Sequence, residues 1–224
     1  MAEQLAFELP VRAATGREDF FVAPANALAV AEIDRWQEWP ARKLALIGPE
    51  GSGKSHLARV WSSAAGARVY AARALVGIPP APGNLAVEDV QDIAGDTQAE
   101  TALFHWHNLV LAEGGHLLLT GNGPPALWPF TLPDLASRIR GTPIARLDPP
   151  DDQLLQAVLL KLFTDRQLVP PPSLLPWLVS RMDRSFAAAG EFVHALDAVA
   201  LGTGRPIGPK LASEVLERLR DQNK

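Results

Sequence analysis

The sequence predicts an α/β fold with a five-stranded parallel sheet, followed by a small C-terminal helical domain. Short apolar runs alternate with helical patterns as far as residue 148, and this alternation is typical of parallel strands joined by helical crossovers. After Asp148-Pro149-Pro150 only helical patterns follow. A glycine-rich turn directly after the first apolar run places a specific motif inside this fold.

The composition is that of a globular protein. Of the 224 residues, 47% are hydrophobic and 21% are charged, which is enough apolar material for a sizeable core. The net charge of −4 argues against a protein that holds nucleic acid by bulk positive charge. Cysteine is absent, and neither a signal peptide nor a membrane-spanning run is recognisable, so we expect a cytoplasmic protein without membrane contact.

The predicted elements give three regions. A tail (1–18) precedes an α/β domain (19–148), and a helical domain (149–224) follows. The predicted strands are 44–47, 67–72, 84–90, 116–120 and 142–147. The predicted helices are 24–37, one from about Lys54, 97–112, 151–166, 173–181, 185–201 and 209–221.

The motif is Gly48-Pro49-Glu50-Gly51-Ser52-Gly53-Lys54-Ser55, which fits G-x-x-x-x-G-K-[ST] without a mismatch between a strand and a helix. Its glycines let backbone N–H groups approach phosphate oxygens, and the helix N-terminus adds a positive dipole. We expect Lys54 to contact the β- and γ-phosphates of ADP or ATP, and Ser55 to bind Mg²⁺. His56, the next residue, either flanks the nucleotide or lies on the helix surface.

Two acidic residues end the third strand. Glu88 is a candidate Mg²⁺ ligand and Asp89 a candidate for orienting the attacking water, and we expect their strand to lie beside the P-loop strand. The alternative is a pair of solvated acids at a strand end. His105 and His107 are two residues apart on a helix and do not share a face, so no metal site is predicted there.

The ordered set of motifs resembles a known family. The P-loop, the strand ending Val87-Glu88-Asp89-Val90-Gln91, LLLTGNGPP at 117–125 and LPDLASRIRG at 132–141 together look like the AAA+ module of the replication initiator DnaA. The similarity is greater to its shorter regulatory relatives of the Hda type, because no C-terminal DNA-binding domain is expected after the helical domain. The resemblance implies a P-loop AAA+ module with a helical lid, and no sequence-specific DNA binding by the chain itself.

The resemblance also implies roles for individual residues. Phe21, Val22 and Asn26 fall in the family's segment beside the adenine. Asn122 falls at the sensor-1 position, which reads the γ-phosphate or the attacking water. Arg138 matches the arginine finger, which completes a neighbour's nucleotide site and not its own. The alternatives for Arg138 are a plain surface position or an ion pair with Asp134.

The tail resembles a peptide that binds the DNA polymerase sliding clamp. Such peptides start with Gln and carry Leu or Phe anchors, and Gln4, Leu5, Phe7 and Leu9 fit this pattern. The alternative is an apolar tail that packs on its own domain. The resemblance thus implies DnaA and the sliding clamp as partners.

The sequence departs from the family pattern at two positions. The acid pair is Glu88-Asp89 where the family has Asp-Asp or Asp-Glu, and Gly190 stands at the sensor-2 position, where the family has Arg. Arg184, six residues upstream, is not expected to substitute. Both departures predict weak or no intrinsic ATP hydrolysis, with nucleotide binding less affected.

Three functions stay open on the sequence. The first is a regulator that stimulates ATP hydrolysis on DnaA by inserting Arg138, and thereby acts negatively on replication initiation. The second is a self-sufficient motor or loader ATPase that uses Asp89 and assembles with copies of itself. The third is an initiator-like DNA-binding protein, for which no basic recognition helix is recognisable.

Overall fold

A computed structural model of the chain describes residues 21–77 and 82–222. In these ranges the strands are β1 (Lys43–Ile47), β2 (Arg68–Ala71), β3 (Leu85–Glu88), β4 (Leu117–Gly121) and β5 (Ile144–Arg146). The α-helices of the same ranges are α1 (Ala27–Asp34), α2 (Lys54–Ala65), α3 (Thr97–Ala112), α4 (Pro133–Arg140), α5 (Asp152–Asp165), α6 (Leu174–Val179), α7 (Phe186–Thr203) and α8 (Pro209–Gln222). The predicted five-stranded parallel sheet with a following helical region is confirmed.

The strand order is β2-β3-β4-β1-β5, and every pairing is parallel. We predicted that the strand ending in Glu88 lies beside the P-loop strand, and this was wrong. β4 lies between them, with Leu44 opposite Leu118 on one side and Ala86 opposite Leu118 on the other. The connection from β1 to β2 passes over two strands, β4 and β3, so Glu88 and the P-loop come from strands that are not neighbours.

Two apolar layers cover the sheet. Side chains of β1 alternate between them: Ala45 and Ile47 face the layer formed with α3 and α4, whereas Leu44 and Leu46 face the layer formed with α1 and α2. All five β1 residues are buried, as a central strand covered on both faces requires. The carboxyl ends of β1, β3 and β4 are thereby fixed at one edge of the sheet.

Several predicted elements are shorter in the structure than their patterns indicate, and for two of them the local reason is visible. The helix predicted over 24–37 extends only over Ala27–Asp34, because the chain then turns through a 3₁₀ segment and Trp39 donates its indole N–H to Glu32 O at 2.7 Å. The strand predicted over 84–90 ends at Glu88, because Asp89 adopts a left-handed backbone conformation with φ +55°.

The C-terminal helices α5 to α8 bury a core of their own. Phe163 on α5, Phe192 on α7 and Leu211 on α8 belong to one apolar cluster, which contains no residue of the sheet. Helix α7 begins at a Ser185 cap, whose hydroxyl accepts the Ala188 N–H at 3.2 Å. This cap places the first turn of α7 against the sheet domain.

Candidate nucleotide-binding site

The P-loop connects the end of β1 to the start of α2, and its glycines have distinct structural roles. Gly51 and Gly53 have φ values of +72° and +94°, which other residues rarely adopt. At Gly48 a Cβ would lie 2.5 Å from Leu147 O and 2.7 Å from Ser52 Oγ, so only glycine fits there. The loop is therefore shaped by its glycines as the motif predicts.

The Lys54 ammonium lies inside the loop. It donates to Gly48 O and Pro49 O, both at 2.8 Å, and the side chain is buried. Burial lowers the pKa of Lys54, while the carboxylates of Asp89 and Glu50 oppose that shift. The hydrogen-bond partners of this cation are neutral carbonyls, so an incoming phosphate oxygen would gain a charge-assisted bond from it.

A cavity of about 500 Å³ lies over the P-loop. Its walls come from the P-loop, the turn after β3, the end of β4 and the first turn of α7. The lining residues are Glu50, Gly51, Gly53, Lys54, Ser55, His56, Asp89, Gln91, Asp92, Asn122, Phe186 and Ala187. Most of the predicted P-loop residues, Asp89 and Asn122 are thus brought together at one site.

The two acids of β3 occupy different environments. Asp89 is exposed, lines the cavity, and donates its N–H to Thr120 Oγ1 at 3.2 Å. Glu88 lies outside the lining, and its Oε1 is buried without a hydrogen-bond partner among the described residues. A buried carboxylate oxygen without a donor is suited to an absent cation or its water, and Ser55 adds a second hard oxygen at the cavity.

The residues that the structure describes contain no cluster of three or more His, Asp or Glu side chains that could hold a metal alone. Binding of Mg²⁺ by Ser55 and Glu88, the two residues predicted from the sequence, stays a prediction.

Asn122 directly follows β4. Its backbone N–H donates to Gln91 Oε1 at 3.0 Å, and its carbonyl accepts the Trp128 indole N–H at 2.8 Å. Both bonds hold the main chain, which leaves the exposed amide side chain at the cavity. Gln91 was given no role from the sequence, although it lies in the quoted strand motif, and its side chain connects the turn after β3 to the end of β4.

The first turn of α7 contacts the P-loop directly. Phe186 donates its backbone N–H to Gly51 O at 2.8 Å, and a Cβ on Gly53 would lie 3.1 Å from two carbons of the Phe186 ring. Sequence reasoning missed Phe186 and Ala187, because they lie more than 130 residues beyond the motif. The helical bundle therefore supplies one wall of the site.

Gly190 lies one turn further along α7, on the face of Phe186 and Ala187. A Cβ at Gly190 would meet nothing within 4 Å, so the position is open. Arg184 forms a 2.7 Å ion pair with Asp152 of α5 and does not belong to the cavity lining. None of the described lining residues is an arginine.

The segment predicted beside the adenine is held by Asn26. Its buried side chain accepts the Ala23 N–H and donates to Phe21 O, both at 2.8 Å, while Phe21 and Val22 are largely exposed. These three residues do not line the cavity over the P-loop. Contact of this segment with a nucleotide base stays a prediction.

Arg138 lies in the last turn of α4, exposed and outside the cavity lining. Its guanidinium lies over the Phe104 ring, 5.1 Å from the ring centroid, and this contact takes the place of the alternative ion pair with Asp134. The candidate tail residues Gln4, Leu5, Phe7 and Leu9 lie outside the described residues. Within residues 21–77 and 82–222, the helices are too short or too polar to cross a membrane.

The fold and the loop after β1 define a P-loop α/β module with a C-terminal helical bundle. No family model matches the chain. In sequence it is similar to the chromosomal replication initiator protein DnaA of Thermomicrobium roseum, with 25% identity over 229 residues, covering 89% of this chain and 48% of that protein. The chain therefore spans about half the length of the curated relative that it matches.

Solved structures show the same likeness in fold. The crystal structure of domain III from the Thermotoga maritima replication initiation protein DnaA has a TM-score of 0.80 at 20% identity, covering 94% of this chain and 98% of that one. Aquifex aeolicus DnaA bound to AMPPCP has a TM-score of 0.65 at 15% identity, over 84% of this chain and 64% of that one. The chain is thus similar to DnaA in sequence and to its domain III in fold.

Proposed function

We propose that this chain is a nucleotide-binding regulator of replication initiation that binds ADP or ATP at its P-loop and supplies Arg138 to the nucleotide site of ATP-bound DnaA. One observation carries the proposal: the described residues that line the chain's own cavity include the P-loop lysine but no arginine, whereas Arg138 is exposed on α4, outside that cavity. Arginine fingers act in this way, from one subunit on the nucleotide of another.

Nucleotide binding follows from the P-loop. The N–H groups around Gly51 and Gly53 and the N-terminus of α2 would surround the β-phosphate, and Lys54 would exchange its two carbonyl partners for phosphate oxygens. Ser55 and Glu88 would hold Mg²⁺, which when bound neutralises charge on the phosphate oxygens. A DnaA structure with AMPPCP bound supports this class of ligand.

Weak intrinsic hydrolysis follows from what the cavity contains. Asp89 and Asn122 line it and can orient a water, but the open position at Gly190 provides no cation toward the γ-phosphate. Among the described lining residues, Lys54 is the one cation that could stabilise the charge that grows on the transferred phosphoryl group, and His56 is the one imidazole.

Stimulation of the partner follows from Arg138. A guanidinium is always charged and offers a planar fork of donors, which suits it to oxygens of a phosphoryl group in the transition state. In other phosphate-hydrolysing systems an arginine supplied in this way raises the rate by roughly 10³–10⁵. The tail residues Gln4, Leu5, Phe7 and Leu9 would bind the sliding clamp. Stimulation of DnaA would then be restricted to places where a clamp is loaded on DNA.

The experiment measures turnover of DnaA-bound ATP with this protein, clamp and DNA, each omitted in turn. Arg138→Ala is expected to abolish stimulation while nucleotide binding by the variant is unchanged, and Arg138→Lys is not expected to restore it. Arg140→Ala is the matched control, because Arg140 is exposed in the same last turn of α4. Full stimulation by the Arg138→Ala protein contradicts the proposal.

A second candidate is an initiator-like function, which the likeness to DnaA domain III supports. A self-sufficient ATPase is the third, since Asp89 and Asn122 both line the cavity. The purified protein separates these cases. The regulator hydrolyses ATP very slowly alone and stimulates DnaA, a self-sufficient ATPase turns over steadily alone, and an initiator-like protein opens origin DNA without DnaA.

A further inference from the structure

Arg138 is held at two points, one on its side chain and one on its main chain. The guanidinium lies over the Phe104 ring of α3, and the carbonyl accepts Lys43 Nζ at 2.7 Å and Thr142 Oγ1 at 3.2 Å. The guanidinium is exposed, whereas Lys43 and Thr142 are buried. An exposed arginine with neither anchor would sample many rotamers.

Phe104 is itself fixed. It is half-buried and packs against the apolar layer between the sheet, α3 and α4, so its ring presents one face on the surface. Aromatic faces attract guanidinium groups electrostatically and also stack with their planes. The ring therefore limits the directions in which Arg138 can point, without neutralising its charge.

Lys43 fixes the end of helix α4. The last carbonyls of a helix have no intrahelical donor, and here a buried ammonium and a threonine hydroxyl both donate to Arg138 O. Burial lowers the pKa of Lys43, and the Arg138 charge lowers it further. Burial and then Lys43 lower the pKa of the neighbouring His107 to about 4, so this imidazole is neutral at neutral pH.

We infer that Phe104 and Lys43 are positioning residues for Arg138, which hold its guanidinium in the orientation that reaches the nucleotide of a partner subunit. This inference rests on the proposed function of Arg138. The ring sets the side-chain direction, and the lysine sets the position of the last turn of α4. Arg138 has little rotamer freedom before the partner binds, so less side-chain entropy is lost when its guanidinium reaches the partner's phosphate.

The first test is Phe104→Leu, which keeps apolar packing but removes the ring. With saturating protein, the maximal rate of partner ATP turnover is expected to fall about two- to fivefold. The concentration for half-maximal stimulation is expected to stay the same, and Phe104→Tyr should restore the rate. An unchanged maximal rate in Phe104→Leu, or a change confined to the half-maximal concentration, overturns the role of Phe104.

A second readout does not depend on the partner. In an NMR spectrum, the Nε–Hε proton of Arg138 should lie upfield because it sits over an aromatic face, and Phe104→Leu should move it to the position of a solvent-exposed arginine. An Nε–Hε shift that is the same in Phe104→Leu and wild type means that the ring does not hold the Arg138 guanidinium.

Lys43→Met removes the buried donor and is expected to lower the same maximal rate, while nucleotide binding at the P-loop is unaffected. If that variant does not fold, Thr142→Val removes the other donor to the same carbonyl with little change in volume. Full activity of the folded variant overturns the role of this anchor. If Arg138→Ala keeps full stimulation, the proposed function and this inference fail together. If only the Phe104 and Lys43 variants keep it, the inference alone fails.

Discussion

Replacing Gly51 by alanine should separate the helical bundle from the P-loop. Gly51 has φ +72°, and a Cβ there would overlap Ser185 Oγ and lie 2.9 Å from Ser185 Cβ. The left-handed backbone alone is expected to cost about 1 kcal/mol with a side chain present. Relieving the overlap also requires Ser185 to move.

The cost of that movement can be worked from two contacts. Ser185 Oγ caps α7 by accepting the Ala188 N–H at 3.2 Å, and losing such a cap costs about 1 kcal/mol. Phe186 N–H donates to Gly51 O at 2.8 Å, and losing that bond costs about 1 kcal/mol. Gly51→Ala should therefore destabilise the protein by about 3 kcal/mol in total.

Gly66→Ala is the matched control. Gly66 ends α2 with φ +61°, and a Cβ there meets nothing within 4 Å, so only the backbone cost of about 1 kcal/mol applies. The affinity for ADP should fall in Gly51→Ala and stay unchanged in Gly66→Ala, because only Gly51 lies in the P-loop and against the first turn of α7. Urea unfolding and titration with a fluorescent ADP measure both quantities.

The two variants must differ for this reasoning to hold. Equal free energies of unfolding for Gly51→Ala and Gly66→Ala would refute the steric argument. Ser185→Gly in the Gly51→Ala protein provides a rescue, since glycine removes both atoms that the new methyl meets and is itself an acceptable N-cap. Stability should then return to near that of Gly66→Ala.

Three further predictions concern other parts of the chain. Lys54→Ala should remove most ADP binding in the same titration, since it deletes the cation within the P-loop; unchanged affinity contradicts this. Gly190→Arg should strengthen ATP binding relative to ADP binding and raise intrinsic ATP hydrolysis, because the position is open and lies on the cavity face of α7. A ratio of ATP affinity to ADP affinity equal to that of the wild type contradicts this. Burial raises the pKa of Glu100, but N–H bonds from Thr131, Gly95 and Leu132 outweigh it and leave the pKa lowered. The stabilisation by this carboxylate is therefore complete above the pKa that Glu100 has in the unfolded chain, and it is lost as the pH falls toward the lower pKa of the folded protein. The free energy of unfolding of Glu100→Gln should therefore depend less on pH below about 4.3 than that of the wild type. Equal acid sensitivity of the two proteins would show that Glu100 is not the group that titrates.

Local signals in the sequence predicted most of the fold. Helix α3 has the predicted bounds, 97–112, because Asp96 caps it by accepting the N–H groups of Gln98 and Ala99 and no proline or glycine interrupts it. The P-loop was predicted for a related reason, since its glycines and lysine are adjacent in the sequence. Such features depend on neighbours a few residues away.

The parts that sequence reasoning missed depend on contacts between distant residues. The position of β4 between β1 and β3 is a property of the crossovers, which the strand patterns do not encode. Phe186 reaches the P-loop only because the bundle docks there, and its own sequence surroundings carry no motif. The Phe104 contact of Arg138 likewise joins residues 34 positions apart.

Glu100 connects helix α3 to the segment that precedes helix α4. From within α3 its carboxylate accepts the N–H of Gly95 at 2.7 Å, of Thr131 at 3.0 Å and of Leu132 at 2.6 Å. Leu132 directly precedes α4, so the start of that helix is tied to α3, just as its end is tied to β1 through Lys43. A helix fixed at both ends to the apolar layer cannot slide or rotate without breaking buried charge-assisted bonds. Arg138 is therefore exposed but lies on a helix that is fixed at both ends, and the role that we propose for it on another subunit's nucleotide requires such a support.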